Sequence, residues 1–266
     1  MVETLSQPVR LRLEQALAQW RHWQHGPVAA PTVSAVLKGG RSNTSVKISS
    51  GQTSWVVRLD GINPTSLGIS RSAEWRALNQ AASHKLAPIP TYSNPELGVL
   101  VYEFCEADPV RDPTVSDIED IAGLLRAIHA LPPLKFRLDP LTRARRYQHL
   151  AGTSELSESF LIACERLEEH VHTHVLCHND LLRANRLRCN NRLLALDWEY
   201  AAMGDPLFDL AAVIEGDELD DAQASLLLAT WLDAQPTPQD RQRLDDNRLV
   251  YRQLNELWEC VYDRQC

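Results

Sequence analysis

Polar residues that follow two short apolar runs have the types and spacing to do chemistry on a phosphate. Asp180 and Asn185 come shortly after the apolar run Val175–Cys177. Asp197 directly follows a second apolar run, 193–196. Each run predicts a short buried strand, and a turn and a hairpin between them would gather the three polar side chains at one mouth. Two carboxylates and an amide supply the oxygen ligands that suit Mg²⁺.

The reaction that needs such a site is phosphoryl transfer from a nucleotide. In that chemistry the protein positions the attacking hydroxyl, accepts its proton on a carboxylate and neutralises the phosphates with a metal ion. The pattern therefore predicts Asp180 as the base and Asn185 with Asp197 as magnesium ligands. Taken singly, Asp180 and Asn185 would be assigned to turn capping and Asp197 to the end of a hairpin. The ordered set favours the site.

The segment 175–212 resembles the family of small-molecule kinases that includes choline, ethanolamine and thiamine kinases and the aminoglycoside phosphotransferases. The family motifs H-x-D-x-x-x-x-N and hydrophobic-hydrophobic-D-[WF]-E are matched by His178, Asp180, Asn185, Asp197, Trp198 and Glu199. A G-D-P-x-x-D-L-A continuation is matched by residues 204–211. The resemblance implies ATP and Mg²⁺ as cofactors and adds His178 to the catalytic loop, where we expect it to brace the loop by hydrogen bonding. The W-E-Y sequence after the metal aspartate is most similar to the choline and thiamine branch.

The resemblance also implies an α+β, bilobal, protein-kinase-like fold. We expect a small antiparallel-sheet lobe over residues 1–104 that binds the nucleotide and opens with a helix over 3–24. The apolar residues of 5–23 recur at steps of three and four, which is typical of an amphipathic helix. A mostly helical lobe over residues 105–266 would carry the catalytic hairpin and the acceptor site.

Candidate nucleotide-binding residues lie in four places along the first lobe. Small residues between two strand-like segments let backbone N–H groups approach a phosphate, although this loop alone indicates an ordinary hairpin turn as well. Arg58, near the end of the predicted strand 54–59, stands where many relatives carry lysine, and the predicted helix 70–83 offers Glu74 as its acidic partner. The hinge after the last strand would hold adenine. The candidates are Gly39, Gly40, Ser42, Asn43, Arg58, Glu74, Glu103 and Cys105.

The acceptor site is expected in the second lobe, because acids and aromatics from this part of the chain form the pocket for a cationic acceptor in the choline branch. Aromatic rings on the C-terminal helices would supply a cation–π wall. The acidic run 215–221 also fits a solvated loop at a helix N-terminus. The candidates are Glu199, Glu215, Asp217 and Trp258.

Composition limits the partners. The 266 residues carry a formal net charge of -8, which argues against nucleic acid or an anionic membrane as the main partner and is compatible with a small cationic substrate. The six cysteines form no C-x-x-C pair, and the opening residues lack an apolar signal segment, so we expect free thiols in the cytoplasm. We expect a monomer or a homodimer that acts on a small-molecule acceptor without membrane attachment.

Three alternatives remain open at this point. A sugar or aminoglycoside kinase would use the same fold with a different pocket. A nucleotide-binding pseudokinase with a regulatory role is suggested only by the arginine at position 58. A metallohydrolase would use His170, His172, His174 and His178 with Asp180 as ligands, but His178 is the last histidine of the chain and no downstream partner exists.

Overall fold

The computed structural model describes residues 5–37, 42–61, 63–108, 115–152, 156–170 and 173–265. Gly39 and Gly40 of the candidate phosphate loop lie outside the described residues, as do residues 3 and 4 of the predicted N-terminal helix.

The first lobe is built on an antiparallel sheet, ordered β1-β2-β3-β5-β4 among the described residues. The inner face of the sheet is apolar, and its branched side chains are buried against the helix Gln7–Ala18. The strands are β1 (Thr32–Val36), β2 (Asn43–Ser50), β3 (Thr53–Asp60), β4 (Pro90–Asn94) and β5 (Val99–Glu103).

Two helices belong to this lobe. Helix α1 (Gln7–Ala18) has a proline in its first turn and is followed by a separate 3₁₀ turn, Trp20–His22, so the helix is shorter than the 3–24 predicted. Helix α2 (Arg71–Ser83) begins where the sequence predicts, because the Ser70 hydroxyl accepts a hydrogen bond from the Ala73 N–H and caps the first turn.

The second lobe is mostly helical, with short strands that carry the catalytic segment. The Ser157 hydroxyl accepts a hydrogen bond from the Phe160 N–H at the beginning of the helix Glu158–His170. Its elements are α3 (Val115–His129), α4 (Pro140–Ala151), α5 (Glu158–His170), β6 (Val175–Cys177), β7 (Arg186–Cys189), β8 (Arg192–Ala195), β9 (Ala202–Gly204), α6 (Pro206–Gly216), α7 (Asp221–Leu232) and α8 (Pro238–Gln265). β6 pairs with β9 and β7 with β8, both antiparallel.

The buried side chains of the described residues form two clusters. One cluster joins α1 to the inner face of the sheet, and includes Leu13, Ile48 and Val57. The larger cluster fills the helical lobe and also takes in Leu78 of α2 and Leu100 of β5. The α+β, two-lobed class is confirmed, while the domain boundary after residue 104 stays a prediction. No helix in the described part of the chain is both long and apolar enough to cross a membrane.

Candidate active site

The largest group of predicted site residues meets in one cavity of about 500 Å³ between the lobes. Ser42 and Asn43 reach it from the first lobe, and the other side chains come from the catalytic segment, α4, α6 and α8. The site residues predicted from the sequence that line it are Ser42, Asn43, Asp180, Asn185, Asp197, Glu199, Glu215 and Trp258.

The catalytic loop is fixed from below by a buried carboxylate. Asp209 of α6 accepts the backbone N–H of His178 at 2.9 Å and that of Asn179 at 2.5 Å. The His129 ring donates to the same carboxylate at 3.0 Å. Asn179 has a φ of 65°, a conformation that asparagine tolerates better than most residues. These contacts of Asp209 hold the loop in place beside the cavity.

Asp180 and Asn185 are bound to each other within this loop. The Asn185 amide donates to the Asp180 carboxylate and to its backbone carbonyl, each at 2.8 Å. Burial, followed by the nearby charges of Asp197 and Glu199, raises the pKa of Asp180 well above its usual range. A hydroxyl placed in the cavity would meet this carboxylate directly.

The donor set suits magnesium. Because the nitrogen of the Asn185 amide is used by Asp180, its oxygen is the atom left to ligate a cation. Asp197 supplies a carboxylate and sits at a φ of 57°, the left-handed position between β8 and the 3₁₀ turn Trp198–Tyr200. Carboxylate and amide oxygens are hard ligands of the kind that Mg²⁺ prefers. Asn185 and Asp197 are therefore the residues that would hold it.

Arg58 lies on the first-lobe side of the cleft, with 3% of its side chain exposed. One guanidinium nitrogen contacts Glu74 at 2.6 Å and Asp197 at 2.5 Å. Burial opposes ionisation of Glu74, but Arg58 and Arg71 together lower the pKa of that carboxyl. The predicted cation and its acidic partner are thus paired, and the pair reaches across the cleft to the predicted metal ligand.

A second arginine, which the sequence reasoning missed, joins the same cluster. Arg71 contacts Asp60 at 2.6 Å, Glu74 at 2.7 Å and Glu199 at 3.1 Å. The Asn43 amide donates to the same Glu199 oxygen at 3.2 Å. Burial, then Asp197, raises the pKa of Glu199. Glu199 is therefore held by both lobes as well as lining the cavity.

Ser42 enters the site through close backbone packing. The Gly61 N–H donates to the Ser42 carbonyl at 3.0 Å, and a Cβ on Gly61 would lie 2.4 Å from that oxygen. Any other residue at position 61 would displace the beginning of β2. The glycine therefore lets Ser42 and Asn43 approach the cleft.

His178 and the hinge lie outside the cavity wall. The buried His178 ring donates its Nε2–H to the Leu196 carbonyl at 2.9 Å and packs edge-on against Trp198, and burial lowers its pKa. It braces the loop. At the hinge, the Glu103 N–H is used by Ile89, while burial and the adjacent Cys189 thiol raise the pKa of Cys105 to about 11.

Aromatic rings and carboxylates form the wall opposite the metal residues. The Trp258 indole donates to the Tyr200 hydroxyl at 2.9 Å, and Tyr262 stacks on Trp258. The Arg143 guanidinium stands 5.3 Å from the centre of the Tyr200 ring, a cation–π distance. Wall residues that the sequence did not predict are Arg143, Tyr147, Arg252, Asn255, Glu256 and Glu259. They are helical residues without a local motif, so only the fold identifies them. Tyr200, which belongs to the W-E-Y sequence, and Tyr251, one of the rings expected on the C-terminal helices, also line the cavity.

The acidic run after α6 splits into two environments. Glu215 lines the cavity and is paired with Arg248 at 2.5 Å and Arg252 at 3.0 Å. Asp217 is not among the described residues of the cavity wall, because its buried carboxylate is held by Arg186. This ion pair stabilises the beginning of β7, so the Asp217 carboxylate does not face the predicted acceptor site.

A buried cluster of His129, Cys177 and Asp209 has metal-ligand types but no vacancy for a metal. The Trp231 indole donates to His129 Nδ1 at 3.1 Å, and His129 Nε2 donates to Asp209. Burial raises the pKa of the Cys177 thiol well above its usual value. His129 and Asp209 bind each other, the Cys177 thiol faces the Val175 and Asp205 carbonyls, and this cluster is not the histidine set of the metallohydrolase alternative.

A small sheet over a helical lobe, with two carboxylates and an amide at the cleft, defines a phosphotransferase of the kinase type. Residues 33–246 match the model of the phosphotransferase enzyme family, and the chain belongs to that family. The membership predicted from the motifs is confirmed.

Solved structures share this fold at low sequence identity. LicA in complex with AMP is 21% identical, with 98% of this chain and 92% of that chain covered and a TM-score of 0.77. Choline kinase LicA from Streptococcus pneumoniae is 23% identical, with 88% and 86% covered and a TM-score of 0.73. Protein LicA of Haemophilus influenzae is 47% identical over 55 residues, which are 21% of this chain and 21% of that protein. The chain thus matches about a fifth of that relative's length.

Proposed function

We propose that this protein transfers the γ-phosphoryl group of ATP, with Mg²⁺, to the hydroxyl of a small cationic alcohol of the choline, ethanolamine or thiamine type. The observation that carries the proposal is the position of Asp180 in a cavity walled by aromatic rings and carboxylates. The reaction would take place in the cytoplasm, with the acceptor as the partner and the chain acting as a monomer or homodimer.

The geometry of the loop supports the following catalytic roles. Asp180 accepts the proton of the attacking hydroxyl, and Asn185 keeps its carboxylate in place through the 2.8 Å hydrogen bond. Asn185 and Asp197 hold magnesium, which when bound neutralises charge on the phosphates. His178 fixes the loop from behind without touching the reacting atoms.

The nucleotide is assigned to the first-lobe side of the cleft. Arg58, held by Glu74, supplies the cation for the phosphates. Ser42 and Asn43 would contact the phosphates; Gly39 and Gly40, expected from the sequence in the same phosphate loop, lie outside the described residues. The backbone at Glu103 and Cys105 would hold adenine. LicA, a structural relative, has been solved with AMP, which supports a nucleotide in this fold.

The nature of the wall supports a cationic acceptor. Tyr200, Tyr251 and Trp258 offer aromatic faces, and Glu199 and Glu215 add negative charge. Aromatic faces attract quaternary ammonium groups through their quadrupole. The protein itself places a guanidinium on one such face, at Tyr200. The choline kinase LicA of similar fold agrees with this assignment.

The alternative is an aminoglycoside or sugar kinase. The expected mark of a sugar site is a pocket rich in amides without an aromatic wall. Asn255 and Asn43 do line the cavity, but the rings beside them favour the cationic alcohol. A pseudokinase is disfavoured because Asp180, Asn185 and Asp197 meet at one cavity.

The test is ADP release from ATP and Mg²⁺ across choline, ethanolamine, thiamine, aminoglycosides and simple sugars. We expect turnover with one cationic alcohol and loss of at least about a thousandfold in Asp180→Asn, because the base is removed while ADP binding is retained. Asp263→Asn, a change at an exposed residue that is not among those lining the cavity, is the matched control. Turnover of a sugar or aminoglycoside alone would favour the alternative kinase, and an active Asp180→Asn enzyme would refute the mechanism.

A further inference from the structure

The cleft concentrates buried charge of both signs. Arg58 and Arg71 lie among four carboxylates, those of Asp60, Glu74, Asp197 and Glu199. Two cations against four anions leave a formal charge of about -2 when all of them are ionised. A cleft with a net negative charge attracts divalent cations. It repels free phosphates unless its arginines are positioned next to them.

The two arginines divide the carboxylates between them. Glu74 gives one oxygen to each, with Arg58 at 2.6 Å and Arg71 at 2.7 Å. Glu199 lies 3.1 Å from Arg71 but 3.9 Å from Arg58. Asp60 accepts two hydrogen bonds from Arg71, at 2.6 and 3.1 Å, and lies 3.9 Å from Arg58. Arg71 therefore carries most of the pairing with Asp60 and Glu199.

This division leaves Arg58 with a single short contact on the cleft side, to Asp197. If Arg71 were absent, Asp60, Glu74 and Glu199 would all draw on Arg58, and the cleft would carry a further negative charge. Arginine suits the task because its planar fork can engage several carboxylates at once.

We propose that Arg71 is a positioning residue for phosphoryl transfer: by pairing with Asp60, Glu74 and Glu199, it keeps the Arg58 guanidinium at Asp197, where its charge acts on an anionic group in the cleft. The inference rests on the proposed function in one respect, namely that this anionic group is the phosphate chain of a nucleotide.

The proposal is tested by the direction in which the affinities for ADP and for Mn²⁺ change. Metal-free ADP is titrated calorimetrically in the presence of EDTA, and Mn²⁺ alone is titrated by electron paramagnetic resonance. In Arg71→Gln we expect ADP to bind at least about fivefold more weakly and Mn²⁺ to bind more tightly, because the cleft becomes more negative. Arg71→Lys, which keeps the charge, should recover most of the ADP affinity.

Glu199→Gln provides the opposite change in the same contact. We expect it to tighten ADP binding and weaken Mn²⁺ binding, and the double variant should return towards the wild type. Equal affinities in wild type and Arg71→Gln, or a loss of both ligands together as in a loosened fold, would overturn the inference alone. A wild-type chain that binds no ADP would refute the proposed function, and the inference with it.

Discussion

At the scale of single residues, burial disfavours the ionised form of three carboxyls in the site. Asp180, Asp197 and Glu199 each have a raised pKa, and burial is the first cause in all three. A carboxyl whose pKa is higher in the folded chain than in the unfolded chain destabilises the fold once it ionises. The catalytic carboxylates therefore lower stability at neutral pH in the absence of ligands.

Replacing Asp180 by asparagine should make this cost visible. The amide keeps an oxygen for Asn185 and carries no charge, so we expect the free energy of unfolding to rise by about 1–2 kcal/mol at pH 8 without metal. The gain should shrink as the pH falls, because Asp180 of the wild type then becomes protonated in the folded chain. Urea denaturation from pH 5 to 8 measures it.

The control for that experiment is the exposed change Asp263→Asn, which should leave the unfolding free energy unaltered. A variant at position 180 that is less stable than the wild type at pH 8 would show that the hydrogen bond to Asn185 outweighs the cost of the buried charge.

At the scale of elements, the two apolar runs of the catalytic segment correctly predicted the positions of its strands. The run Val175–Cys177 forms β6. The second run forms β8, which pairs with β7 in a hairpin. Helix α2 also begins after Ser70 because a serine cap is a local signal. Local patterns of this kind depend on neighbouring residues, and the sequence therefore predicts them well.

The remaining features depend on contacts between distant elements. Nothing near Arg71 indicates that it meets Glu199, 128 residues away along the chain. Glu215 and Asp217 look alike in an acidic run, yet one lines the cavity and the other binds Arg186. The aromatic wall is likewise assembled from α4, α8 and the turn after Asp197. Such pairings follow from tertiary packing, which periodicity does not encode.

The N-cap residue of α6 also connects this helix to α8. Asp205 caps α6 through the Leu207 N–H and also accepts hydrogen bonds from Arg243 at 2.8 Å and Asn247 at 3.0 Å in α8. Asp205→Ala should lower the free energy of unfolding by about 2–4 kcal/mol, because both the cap and these partners are lost. Chemical denaturation gives the value.

The matched control is Asp220, which caps α7 in a capping box on the surface. Asp220→Ala should cost about 1 kcal/mol, the value of a cap alone. If the two variants lose the same stability, the bonds from α6 to α8 contribute nothing and the larger cost predicted for Asp205 is wrong.

At the scale of the whole molecule, the cleft is the place where two cores meet. Helix α2 belongs to the first lobe in sequence, yet Ala77 and Leu78 pack into the core of the second. The Ala195 N–H donates to the Leu86 carbonyl at 2.8 Å, which ties β8 to the end of α2. Because α2 also carries Arg71 and Glu74, the packing that joins the lobes sets the charges of the cleft.

The charge of the whole chain has a consequence for catalysis. The net charge is -8, and Glu215, Glu256 and Glu259 place part of it on the cavity wall. A negatively charged cleft raises the encounter rate of a cation and loses this effect when salt screens it. With choline as the acceptor of the proposed function, kcat/KM at saturating ATP should therefore fall about fivefold as the Debye length shrinks from about 30 to about 8 Å. The neutral isostere 3,3-dimethylbutan-1-ol should show little change under the same conditions. Equal salt dependence for the two alcohols would mean that the wall selects shape and not charge.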